Sequence, residues 1–112
     1  MSISTHILDT STGRPAAGIA VELDRNTEGE WQTLNAAETD ADGRVKFLLP
    51  EGEAMLPGLY CARFATGVYY ARQAVDGLYP FVEITFIVKP GERHYHIPLL
   101  LTANGYTTYR GT

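Results

Sequence analysis

A chain of 112 residues is the size of one domain, long enough to bury a single core without covalent staples, and a single domain over residues 1–112 is expected. Nine lysines and arginines stand against thirteen aspartates and glutamates, a net charge of -4 with no basic block, which argues against nucleic acid or an anionic membrane as partner. The single cysteine, Cys61, excludes an intrachain disulfide framework and a cysteine-built zinc site, and suits a reducing compartment.

The opening "MSISTHILDT" has no basic start ahead of a long apolar run, and no stretch approaches the length of a membrane span, so a cytoplasmic protein is expected. Apolar residues recur at every second position in segment after segment, the period of strands. In the first such segment Ile3 and Ile7 share one face and His6 takes the other. "TGRPAAG" reads as a turn. Ile19, Val21 and Leu23 alternate with Ala20, Glu22 and Asp24, and after the polar turn "NTEGE" the run from Trp31 to Thr39 returns as the second arm of a hairpin. "DADG", Asp40 to Gly43, is a turn signal leading into "RVKFLL", where Val45, Phe47 and Leu49 are expected on one face. Pro57-Gly58 starts "LYCARF", in which Cys61 reads as a small core residue.

Only "ATGVYYARQAVDG", Ala65 to Gly77, has the makings of a helix, and its glycines limit it to about two or three turns. "FVEITFIVK" alternates Val82, Ile84, Phe86 and Val88 against Phe81, Glu83, Thr85 and Ile87, and Pro90-Gly91 turns it into "RHYHIPLLL". Pro98 lacks a backbone donor, which predicts an edge strand or a bulge there. After "ANG" a tail strand starts at Tyr106. Seven or eight short strands and one short helix make an all-β protein, an antiparallel β-sandwich.

The histidines are the most informative polar residues. His94 and His96 leave one face of their strand, opposite Tyr95, Ile97, Leu99 and Leu101, while His6 leaves the outward face of the first strand. One such histidine is ordinarily a solvated polar residue. Three on the outward faces of the first and penultimate strands suggest a site. His-x-His with a third histidine also has the look of a zinc site, but Asp9 and Glu92 are the only carboxylates near them in sequence, and no metal is expected. No Gly-x-Ser-x-Gly elbow and no phosphate-binding glycine loop is present. Taken alone, Arg44 and Arg110 read as surface arginines.

The first half, "STGRPAAGIAVEL", "ETDADGRVKFLLP" and "PGLYCARF", shares a weak pattern with transthyretin-like β-sandwich modules in general. The second half is more specific. "YPFVEITF", "HYHIPLLL" and the terminal "YTTYRGT" resemble, in order and spacing, the 5-hydroxyisourate hydrolases, the enzymatic relatives of the hormone carrier transthyretin, and "THILDTSTGRPA" resembles the same family. The resemblance covers essentially the whole chain and implies a transthyretin-like sandwich.

It also implies a site. The family's catalytic residues fall on His6, Arg44 and His96, and its substrate-binding terminal tetrapeptide on Tyr109, Arg110, Gly111 and Thr112, where threonine stands in place of the usual serine. His94 is outside the family's set. The implied reaction opens a ring amide of 5-hydroxyisourate, the product of urate oxidation, giving 2-oxo-4-hydroxy-4-carboxy-5-ureidoimidazoline, with no cofactor. The implied assembly is a homotetramer with sites between subunits. The rival readings are a carrier of the transthyretin type, which lacks the tail and the histidine pair, a structural accessory domain, and a zinc enzyme.

Overall fold

A computed structural model describes residues 1–112. The period-two pattern is realised first in β1 (Ser2–Asp9), whose Ile3, Thr5, Ile7 and Asp9 are buried while Ser2, Ser4 and His6 are half-buried on the other face. Two of the inward residues are polar and need partners. Thr5 Oγ1 donates to the Ile97 carbonyl at 2.6 Å, and the Asp9 carboxylate accepts from the Ser11 amide at 3.1 Å and the Tyr69 hydroxyl at 2.9 Å.

The remaining elements follow as β2 (Arg14–Pro15), β3 (Ala20–Thr27), β4 (Glu30–Glu38), β5 (Arg44–Val45), β6 (Gly58–Phe64), α1 (Thr66–Ala71), β7 (Val82–Val88), β8 (His94–Leu101) and β9 (Tyr106–Thr108). One sheet runs β2-β1-β8-β9, with β5 also paired to β1, and the other runs β4-β3-β6-β7. Between them lies the core, with Ile3, Ile7, Leu99 and Leu101 from the first sheet against Val21, Leu23, Tyr60, Phe64 and Val82 from the second. This is the expected sandwich with one short helix. All pairs are antiparallel except β1 and β8, which run parallel and bring Ser4 opposite His96.

Four local expectations are corrected. "RVKFLL" leaves the ladder after Val45, and the Leu48 amide then donates to the Ile3 carbonyl at 2.8 Å. Alternation lapses with the ladder, so Leu48 and Leu49 are both buried while Phe47 is 47% exposed. On β6 the core-facing residues are Tyr60, Ala62 and Phe64; Cys61 is buried on the opposite face, beside its cross-strand neighbours Asp24 and Thr85. "TGRPAAG" contains a two-residue strand, with Arg14 opposite Asp9 and Pro15 opposite Leu8.

Pro98, last, lies in an interior strand and not at an edge. The His96 carbonyl accepts from the Gly111 amide on the β9 side, and every second residue of a strand faces the same neighbour. The missing donor of Pro98 therefore faces the tail. There the β8–β9 pairing lapses between Thr108 and Gly111, and the Thr108 hydroxyl donates to the Pro98 carbonyl at 2.7 Å.

Candidate active site

Three chain segments meet on the outer face of the first sheet. His6 on β1 stands directly opposite Arg44 on β5 and opposite Pro98 on β8, while His96 stands opposite Ser4, one step along the same face. Directly opposed residues of an antiparallel pair have Cβ atoms about 5 Å apart, so His6 and Arg44 project side by side.

Arg44 is delivered by the turn before it. The Asp40 carboxylate accepts from the Arg44 and Asp42 amides, both at 2.9 Å, and the Gly43 amide donates to the Asp40 carbonyl at 2.9 Å. The Arg44 amide, ahead of the lesser influences, holds the exposed Asp40 carboxyl below its usual range. Gly43 has a φ of +74°, and a Cβ there would run into the Ile7 carbonyl. Only glycine turns this tightly against β1.

His96 is oriented from β1: its Nδ1 lies 2.8 Å from the Ser4 hydroxyl. Ser2 holds Nδ1 of His94 in the same way, and the two imidazoles are stacked with centroids 6.4 Å apart and planes 8° from parallel. Burial first, then the charges of Arg44, His94 and His6, push the His96 imidazole below its ordinary value. A ring in that setting is neutral near pH 7 and has a nitrogen lone pair to offer.

Arg44, His94, His96 and Thr112 line one wide-mouthed cavity of about 430 Å³, with Ser2, Ser4, Lys46 and Phe47. That volume lies in the range of about 300–1,000 Å³ typical of small-molecule sites. His6 is not among the residues that line the cavity and stands beside Arg44 in the ladder. The tail divides around this cavity. Gly111 packs against the His96 ring, and Thr112 reaches the cavity. Arg110 turns away, donating to Glu92 at 3.3 Å and to the His94 carbonyl at 3.2 Å, with its guanidinium 4.3 Å from the centroid of Tyr95. Tyr109 is 55% exposed, and with Arg110 it lines a separate cavity of about 210 Å³ beside Ile84, Phe86 and Ile87.

Thus Arg44, His96 and Thr112 share a cavity, His6 is paired with Arg44 but does not line it, and Tyr109 and Arg110 do not join them within one chain. Sequence reasoning passed over Ser2, Ser4, Lys46 and Phe47. The alternation of "SISTH" put both serines on the His6 face, but their meeting with His94 and His96 depends on the parallel pairing of β1 with β8. Phe47, expected on one face with Val45 and Leu49, is exposed and lines the cavity, while Leu49 is buried.

The pattern of the HIUase/Transthyretin family matches residues 3–111. The chain belongs to this family. Among its relatives, a 5-hydroxyisourate hydrolase of Salmonella dublin is 44% identical over 110 residues, spanning 98% of this chain and 80% of the relative. The solved 5-hydroxyisourate hydrolase of Klebsiella pneumoniae is 41% identical with a TM-score of 0.87, covering 100% of both chains. Sea bream transthyretin in complex with thyroxine is 31% identical with a TM-score of 0.92, covering 100% of this chain and 96% of that one. Backbone shape therefore does not separate the enzymes of the HIUase/Transthyretin family from its carriers.

Proposed function

We propose that this chain hydrolyses 5-hydroxyisourate, opening a ring amide to give 2-oxo-4-hydroxy-4-carboxy-5-ureidoimidazoline. The observation that carries the reading is the convergence of Arg44, His96 and Thr112 on one cavity with His6 beside Arg44, in a chain 41% and 44% identical to two proteins of that name. An amide in an electron-poor ring needs a well-placed water more than a covalent nucleophile, and in this reading Ser2 and Ser4, each beside an imidazole Nδ1, orient His94 and His96. Cys61 is buried on the other sheet, and burial pushes its thiol up, away from the thiolate.

In this mechanism neutral His96 takes a proton from water as the oxygen attacks the amide carbonyl. The planar guanidinium of Arg44 receives the negative charge that develops on the carbonyl oxygen. As the carbon–nitrogen bond breaks, His96 passes the proton it took from water to the leaving nitrogen and returns to its neutral form, while His6, beside Arg44, helps to hold the substrate ring. Thr112 contributes a hydroxyl at the far wall. Arg110 acts through the tail, whose path it ties to β8, and Tyr109 is left exposed for a neighbouring copy.

A wide-mouthed site with an exposed arginine favours a homotetramer in which a second copy closes the cavity, working in the cytoplasm on a small molecule. The experiment is ultraviolet monitoring of 5-hydroxyisourate with and without protein. Because the compound also decays unaided, the expected result is a faster decay that yields one hand of product. Unchanged decay together with saturable thyroxine binding would favour the carrier reading.

A further inference from the structure

We propose that Ser4 and Gly111 are positioning residues that clamp the His96 imidazole from two edges, with Ser4 accepting the Nδ1 hydrogen so that the Nε2 lone pair faces the cavity. This deepens the hydrolase reading and rests on it for its kinetic consequences alone. The register of β1 against β8 puts Ser4 directly opposite His96, and the hydroxyl stands 2.8 Å from Nδ1. On the Cδ2 edge the tail passes so closely that a Cβ on Gly111 would lie 2.5 Å from Cδ2 and 3.2 Å from Cγ. The Gly111 amide is itself fixed by the His96 carbonyl at 2.8 Å. With Nδ1 and Cδ2 both occupied, the Cε1–Nε2 edge is what remains for chemistry.

A serine hydroxyl is able to donate to a ring nitrogen or accept from it. Only acceptance survives the reaction, because an imidazole that has taken a proton at Nε2 carries hydrogen on both nitrogens. With Ser4 accepting from the start, His96 gains its proton without the hydroxyl having to turn. Ser2 and His94 repeat the arrangement one step along the same two strands, so the register, more than one rotamer, sets the ring planes. The other charged or titratable groups facing His96 are His6 on β1, Arg44 on β5, Lys46 just beyond it and His94 on its own strand. Arg110 of the tail is occupied with Glu92.

The test is nitrogen-15 NMR of the imidazoles in the full chain, with His96 assigned by its loss in His96→Gln, beside steady-state kinetics on 5-hydroxyisourate. The wild type should show His96 with hydrogen on Nδ1. Ser4→Ala should move it toward the Nε2–H form that free imidazole prefers, lower kcat by about 10- to 100-fold with little change in KM, and shift the acid limb of kcat/KM to lower pH. Ser4→Thr should restore all three. Gly111→Ala should displace the His96 resonances and lower kcat while the far-ultraviolet circular dichroism stays unchanged. An Nε2–H tautomer in the wild type, or Ser4→Ala with an unaltered tautomer, overturns the Ser4 half, and unmoved resonances in Gly111→Ala overturn the other. A tautomer that shifts with no loss of kcat shows that the clamp does not serve the reaction. Should the wild type not act on 5-hydroxyisourate, the hydrolase reading falls, and the spectrum still decides whether the clamp exists.

Discussion

At His96, burial and the neighbouring cations make the charged ring less favourable in the folded chain than in the unfolded one. Two consequences follow from that sign. A base whose value is lowered remains competent to lower pH, so the acid limb of kcat/KM should fall below the ordinary imidazole value of about 6.5. Stability moves in the same sense: the contribution of His96 is complete above the unfolded value and is lost as pH falls through the folded one, because the unfolded chain then binds more protons. Urea midpoints measured from pH 7.5 to 5 should decline less in His96→Gln than in the wild type. His6→Ala and His96→Ala should each lower turnover by about 10² or more with circular dichroism unchanged. Arg44→Lys should come close to them, because a point charge does not reproduce a planar fork. Near wild-type turnover in any of the three would remove that residue from the mechanism.

Among the elements, the turn from Asp40 to Gly43 couples stability to the site most directly. Gly43→Ala adds a methyl group where the chain has positive φ and the Ile7 carbonyl is in the way, so a loss of about 1–3 kcal/mol in stability is expected. Arg44 follows immediately, and turnover measured well below the melting temperature should fall as well. The tail is the opposite case. Removing Tyr109 to Thr112 leaves β9 and the core residues of β8 in place, so activity should drop far more than thermal stability, while Thr112→Ser should be near neutral or slightly faster. A truncated chain as active as the intact one would make the tail an edge strand only.

These elements also mark how far sequence reading reaches. Period-two alternation reveals strands wherever a residue keeps its place in a ladder, as Val21 and Leu23 do, and the expected outward faces of His6 and His96 follow from the same count. It gives no partner for a strand. Ser4 beside His96, and Pro98 tolerated inside a sheet because the tail loosens opposite it, are properties of pairing. Alternation also misleads where the ladder stops, which is why Phe47 lines a cavity and Leu48 fills the core.

For the whole molecule, the likeness to sea bream transthyretin, with a TM-score of 0.92, means that one scaffold serves a carrier and a set of enzymes. Under the proposed function, a second copy covers the exposed Arg44 and the open mouth of the cavity. Sedimentation should therefore give a tetramer, and specific activity should decline on dilution in step with its dissociation. A fully active monomer would contradict a site shared between copies.

The parallel pairing of β1 with β8 joins residues 92 positions apart, as in the bonds from Ser4 to His96 and from Thr5 to Ile97. During synthesis on the ribosome, β1 emerges well before its central partner β8. Until then Ile3 and Ile7 have nothing to cover them from that side, and the inner edge of β1 is a row of unpaired amides and carbonyls of the kind that recruits foreign strands. Contacts this distant in sequence also slow closure of the sheet once the chain is released. A nascent chain stopped short of β8 therefore holds β1 with that edge unpaired and is prone to aggregate.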